Sequence, residues 1–251
     1  MKTKDNPITV YWCHWLNVDS VTDGTNLECG YTDPVNVLEE LASRRETQTD
    51  DSFFRCPVLT EKFKNMYMVR NMVNTDLQVR FDESNHPYTE YLNTEGANAA
   101  VKYSHPPSLK GNLLIEYDVG YGLFADEPLL MAMSSPYFHR AEHLQYGAIL
   151  PGAYDIGRWY RPIVTEFNLW EGNTRLHVPS QDPLMYWDFH TDRDIVIKRY
   201  EMTDKLKGIM SSIIHATPPS PRSKLWPRYD RFERSSLKTA ILEEINKNLV
   251  E

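Results

Sequence analysis

The stretch "SSPYFHRAEHLQYGAILPG" (134–152) carries His139, Glu142 and His143 in the spacing H-x-x-E-H. On an α-helix, two histidines four apart share one face with a glutamate beside them, which is the arrangement of a zinc hydrolase. That chemistry needs the helix. Pro136 stands three residues before His139, and Gly147, Pro151 and Gly152 follow closely. The interval leaves room for about two and a half helical turns, in a region that otherwise reads as strands. No distal carboxylate on a second long helix accompanies the motif, so the letters lack the context a zinc site requires.

A second candidate is "WDFHTDRD", where His190-x-Asp192 supplies two of the three ligands of a non-haem iron triad. The third would be His215, beyond an intervening strand and helix. Asp188, His190, Asp192 and Asp194 have the same parity, so on a strand they line one face while Trp187 and Phe189 take the core side. The polar face of a half-buried strand accounts for all four without an ion. No G-x-x-x-x-G-K-[ST], G-x-G-x-x-G or G-x-S-x-G motif occurs. The expectation is a chain with no metal and no cofactor, for which a non-enzymatic role is the first reading and an enzymatic one stays open.

The third candidate is "RSKLWPRYDRFER" (222–234). Arg222, Lys224, Arg228, Arg231 and Arg234 alternate with Trp226, Tyr229 and Phe232, and two carboxylates leave the segment at +3 within a chain of −8. Cations interleaved with aromatics grip single-stranded nucleic acid. They serve equally as a protein contact, where Arg, Trp and Tyr are the usual anchors, or as a linker whose aromatics pack on the body. The acidic balance of the whole chain argues against a polyanionic partner. Arg222, Trp226, Arg228, Tyr229, Arg231 and Phe232 are therefore the candidate partner-binding residues, and a protein partner or self-association is expected.

The elements that must position these residues read mostly as strands. "ITVYWCHWL" (8–16), "DLQVRFD" with Leu77, Val79 and Phe81 inward, and Met66–Arg70 after a short helical turn are β-like. From 112 onwards come "NLLIEYDV", "PLLMAMSS", "RPIVTEFNLW", "TRLHV", "PLMYWDFHTD" and "DIVIKRYE", separated by turns such as "EGN" and "PSQDP". Helices are expected near 34–46, capped by Asp33 with Pro34 first, near 203–215 behind Thr203, and near 236–249. In the last of these Leu237, Ile241, Ile245 and Leu249 are spaced by four. Residues 83–110, rich in Asn, Pro, His and Gly, read as a long surface loop. The fold class is thus mainly β (α+β), an antiparallel β-sandwich or jelly-roll with about three peripheral helices. Residues 1–216 form one β-rich domain, and 217–251 form a Pro-rich linker and an amphipathic C-terminal helix.

Composition agrees with this reading. The 251 residues can bury a sizeable core, and 12% aromatics with 15 Tyr and 6 Trp favour strands and contact surfaces. Leu129–Met133 is the longest wholly apolar run, too short for a bilayer, and the N-terminus lacks the apolar core of a secretory signal. Cys13, Cys29 and Cys56 are odd in number and form no C-x-x-C pair, as expected of free thiols in a reducing cytoplasm.

"FFRCPVLTEKFKN", "DIGRWYRP", "EFNL", "QDPLMYWDF" and "IVIKRY" together resemble a family of uncharacterised proteins encoded by tailed phages of marine bacteria. The resemblance implies a phage origin and expression in a bacterial host, in the host cytoplasm or the virion, and brings no activity or catalytic residues. The rhythm of "PGAYDIGRWYRPIVTEFNL" and "HVPSQDPLMYWDF" has a looser likeness to the dUTPase and dCTP deaminase jelly-roll, although a C-terminal Gly-rich phosphate loop is missing. Two functions follow as expectations: a non-enzymatic phage protein acting by protein contact, or a nucleotide- or metal-handling enzyme on a dUTPase-like fold.

Overall fold

Apolar side chains at consecutive rather than alternate positions mark the central strands, and such strands must be covered on both faces. The computed structural model describes residues 6–14, 32–43, 54–92, 101–103, 113–215 and 226–250. In chain order the strands are β1 (Ile8–His14), β2 (Val35–Asn36), β3 (Met66–Arg70), β4 (Thr75–Phe81), β5 (Pro87–Tyr91), β6 (Val101–Tyr103) and β7 (Leu114–Ala125). They continue as β8 (Leu130–Ser134), β9 (Gly147–Ile149), β10 (Gly152–Asp155), β11 (Arg161–Leu169), β12 (Arg175–Val178), β13 (Pro183–Phe189) and β14 (Ile195–Arg199). The helices are α1 (Val37–Ser43), α2 (Pro57–Phe63), α3 (Asp204–His215), α4 (Trp226–Glu233) and α5 (Leu237–Lys247).

The protein is a mainly β, sandwich-like α+β fold. One sheet runs β14-β1-β7-β11-β9, with β6 also on β7; a second runs β10-β8-β13-β3-β2; a third runs β12-β4-β5. All pairs are antiparallel except β1–β14, which is parallel. The inner faces share one core: Val10 and Trp12 from β1, Ile115, Tyr117, Tyr121, Leu123 and Ala125 from β7, Leu77 and Val79 from β4, and Met185, Trp187 and Phe189 from β13. Tyr121 joins the sheets, edge-on to Trp187 at 5.3 Å and 5.8 Å from Trp12.

Period-2 geometry sends the intervening residues outward, where the helices cover them. Tyr11, Cys13 and Phe124 pack with Leu206, Met210, Phe232, Ile241 and Ile245 of α3, α4 and α5. Met66, Met68 and Tyr186 on the other side pack with Val37 of α1 and Phe63 of α2. The stripe on α5 is therefore covered by the body of its own chain. Leu249, beyond the helix, bridges Tyr200.

Several expectations change in detail. The first helix is capped by Asn36, not Asp33: its Oδ1 accepts the Leu38 and Glu39 amides at 3.0 and 3.2 Å. Pro34 lies before the helix because Val35 and Asn36 pair with Met68 and Tyr67 of β3. Thr203 caps α3 through the Leu206 amide at 3.2 Å. Residues 83–110 are not one loop. Asp82 Oδ1 accepts the Ser84 and His86 amides, Asn85 takes φ 61°, and the chain returns as β5, with β6 following. Phe81 is exposed at the β4 end rather than inward. Among the described residues α4 is a further helix, in a segment expected to be a linker. Its second residue is Pro227, which fits a first turn because that position needs no amide hydrogen bond.

Candidate functional site

The strongest constellation forms where the turn after β10 meets α4. Asp155 Oδ1 accepts the amides of Leu129 and Gly157, both at 3.0 Å, which closes the turn. A Cβ at Gly157 would lie 1.9 Å from the Glu127 carbonyl oxygen, so only glycine fits. The turn delivers Arg158, Trp159 and, at the first position of β11, Arg161 to one corner.

Helix α4 closes over that corner. The Tyr229 hydroxyl accepts the Asp155 amide at 3.0 Å, and its ring meets Trp159 edge-on at 5.9 Å. Phe232 packs on Phe124, and both Tyr229 and Phe232 are buried. Arg158 is neutralised between Glu233 at 2.9 Å and Asp155 at 3.4 Å. Trp226 is different: it leans edge-on against Tyr229 at 6.1 Å and remains 66% exposed.

Two guanidinium groups gather on the Trp159 ring. Arg161 lies 5.1 Å and Arg228 5.5 Å from its centroid, within cation–π range. Among the described residues no carboxylate pairs with Arg161, whose Nε donates to the Pro162 carbonyl at 3.2 Å. Beside it the Tyr154 hydroxyl is buried without a hydrogen-bond partner. Burial pushes that phenol well above its ordinary range, partly offset by the Arg161 charge.

The structure thus brings Trp226, Arg228 and Tyr229 together, while Phe232 faces the core and Arg231 is exposed. Arg222 lies outside the described residues. Trp159, Arg158 and Arg161 were missed by the sequence reading, although "RWYR", an aromatic pair flanked by arginines, was a signal of the same type as the α4 segment.

The metal candidates do not assemble. Residues 139–141 are coil, followed by a single 3-10 turn, Glu142–Gln145, so His139 and His143 do not share an α-helical face. His139 is buried with Nδ1 on the Tyr186 hydroxyl. His143 is fully buried against Phe167, neither nitrogen has a hydrogen-bond partner, and burial lowers its pKa to about 4. Glu142 instead faces His177, at 3.7 Å.

β13 ends at Phe189, so His190, Asp192 and Asp194 lie in the turn to β14 and not on one strand face. Lys62 pairs with Asp188 and Lys64 with Asp194. His190 is 3.7 Å from Asp188, and the Asp192 carbonyl accepts Lys64 at 2.9 Å. Among the described residues no three His, Cys, Asp or Glu side chains converge as a metal-binding group.

The tripeptide Arg234-Ser235-Ser236 lies between the two C-terminal helices. There it joins α4 to α5, with Ser235 Oγ donating to the Phe232 carbonyl and accepting the Leu237 amide. Among the described residues no helix is long and apolar enough to cross a membrane. Comparisons with protein-family models, curated proteins and solved structures give no match to this chain.

Proposed function

We propose that the protein acts by protein contact and that the corner built from Trp159, Arg161, Trp226 and Arg228 is its contact surface. One observation carries the reading: Trp226 stands 66% exposed on a buried Tyr229, beside guanidinium groups over Trp159. Exposing an indole to water is unfavourable, and covering one fully stabilises an interface by about 2 kcal/mol or more. Arg and Trp around an anchored Tyr are the residue types that concentrate binding energy. The resemblance to phage-encoded sequences supports a setting in the virion or on a host target.

Site-specific photo-crosslinking tests this. A photoreactive phenylalanine analogue at position 226 should give a discrete cross-linked species in producing cells, and Trp226→Ala with a probe at position 228 should reduce it. The same analogue at Val58, which is 74% exposed on α2, is the control. Equal yields from both positions, or none from 226, would remove the contact reading.

A further inference from the structure

Apart from one 3-10 turn, the connection from β8 to β9 has no regular structure, yet it covers core. Its amides bond within it: His139 to the Pro136 carbonyl, Ala141 to that of His139, Leu144 to that of Ala141 and Tyr146 to that of His143. Between Tyr137 and Gln145 no residue enters a strand ladder. Side chains of the body hold the segment instead. The Tyr186 hydroxyl accepts the Phe138 amide at 3.1 Å, Asp182 Oδ2 accepts the Glu142 amide at 2.7 Å, and Trp170 Nε1 donates to the Leu144 carbonyl at 3.0 Å. Ties of this kind break without unzipping a sheet.

Alternate residues of the segment face inward. His139, Ala141 and His143 are buried, while Arg140 and Glu142 are exposed. An apolar side chain at position 143 would seal the floor without stranding polar atoms. His143 instead lies edge-on to Phe167 at 5.4 Å, with neither ring nitrogen hydrogen-bonded. Of the elements packed around it, β9 carries no titratable side chain. β11 carries Glu166, which is exposed, and Arg161 at the end away from Phe167. β12 carries Arg175 and His177, which face Asp76, and His177 is also 3.7 Å from Glu142. Burial alone lowers the His143 pKa, to about 4.

We infer that the segment 136–145 is an acid-operated strap: when His143 takes up a proton, the segment lifts from the body and uncovers the apolar floor around Phe167. The imidazolium finds no acceptor in that floor, and lifting supplies water. With a pKa near 6.5 when open and about 4 when closed, the opening constant is unchanged above pH 6.5, rises as the pH falls towards 4, and then levels off. Two ties oppose release. Charge on His177 strengthens its pairing with Glu142, and the Asp182 carboxyl, raised by burial, takes up a proton more readily while the strap is closed. A test at pH 5 stays above the ordinary carboxylate range.

Hydrogen exchange on the full-length chain reads the opening, as protection of Tyr137–Tyr146 against that of β13 at pH 7 and 5, corrected for intrinsic exchange rates. The strap should be less protected than β13 at both pH values. Its protection should fall roughly twentyfold from pH 7 to pH 5. His143→Leu should abolish that fall, and His143→Gln, which also stays neutral, repeats the test should leucine disturb the packing. His190→Gln changes an exposed imidazole beside Asp188 and should leave the fall intact. Equal protection of strap and β13 at both pH values overturns the inference, because the segment then opens only with the whole fold. Protection unchanged at pH 5, a fall that persists in both His143 variants, or one that His190→Gln removes overturns it as well.

Discussion

At the corner between β8 and β9 the polar side chains His139 and His143 are buried, whereas at the corner between β10 and β11 Arg161 is half-buried and Trp226 stands in water. The first corner has the more suggestive letters and the second the more available groups. Burial is what separates them. A fully buried imidazole with no polar partner stays neutral because its charged form loses hydration and gains nothing in return. A guanidinium cannot escape by losing its proton, so it must stay near water or an anion. At the first corner the two histidines are core, and at the second the arginines keep their contact with the surface.

The comparison is most severely tested through the helices behind the second corner. If α4 and α5 were a loosely attached appendage, cutting into α5 would leave the β body intact. Ile245 is fully buried with Tyr11, Phe124 and Tyr200. Ile245→Ala should therefore cost about 2–5 kcal/mol, as buried isoleucine truncations do. Urea unfolding checks it, and a midpoint unchanged from wild type would show that the corner rests on something other than this core.

Acid sharpens the contrast from the other side. His143 ordinarily titrates near 6.5 and is lowered to about 4 by burial; His14 is lowered to about 3 by burial and by the Arg199 charge. The unfolded chain then binds protons that the native state refuses. Stability is unaffected above 6.5, falls as the pH drops towards 4, and levels off for His143 below that. By pH 4.5 the His143 contribution alone is a loss on the order of 2–3 kcal/mol. His143→Leu should remove that part of the slope, measured as the difference in urea midpoints between pH 7 and 4.5. An identical slope in the variant would mean that His143 is not sealed as described.

Much of this was legible in the sequence, and the exceptions share a cause. β1, β3, β7, β11 and β13 announce themselves by β-branched and aromatic runs, and α5 by its four-residue spacing. Local signals failed where a distant partner decides the outcome. Asn36 displaced Asp33 as the cap because β3 claims the two residues before α1. The polar run after Phe81 reads as a loop because the hairpin partner of β4 is itself polar: "PYTEY". α4 was obscured by its charges, though Trp226, Tyr229 and Phe232 recur every three residues, as a helix packing one face requires. For the candidate site the sequence offered the α4 half. Trp159 and Arg161 come from a turn some distance back along the chain, and only the closure by Gly157 and Asp155 places them under that helix.

The smallest expected effect lies within α4 itself and separates anchoring from contact. Tyr229 and Trp226 touch edge-on, yet one is 6% and the other 66% exposed. Tyr229→Phe removes the acceptor of the Asp155 amide and leaves a partly buried donor unpaired, which costs about 1–3 kcal/mol. Trp226→Ala removes an exposed ring, and surface changes of that kind stay within about 0.5 kcal/mol. Thermal melts of the two variants should therefore differ clearly, with Trp226→Ala close to wild type. Cross-linking from position 228 should reverse the order, because the exposed indole is the part a partner covers. A Trp226→Ala variant that melts as low as Tyr229→Phe would make that indole ordinary core, and the two corners of the molecule would then differ in letters but not in kind.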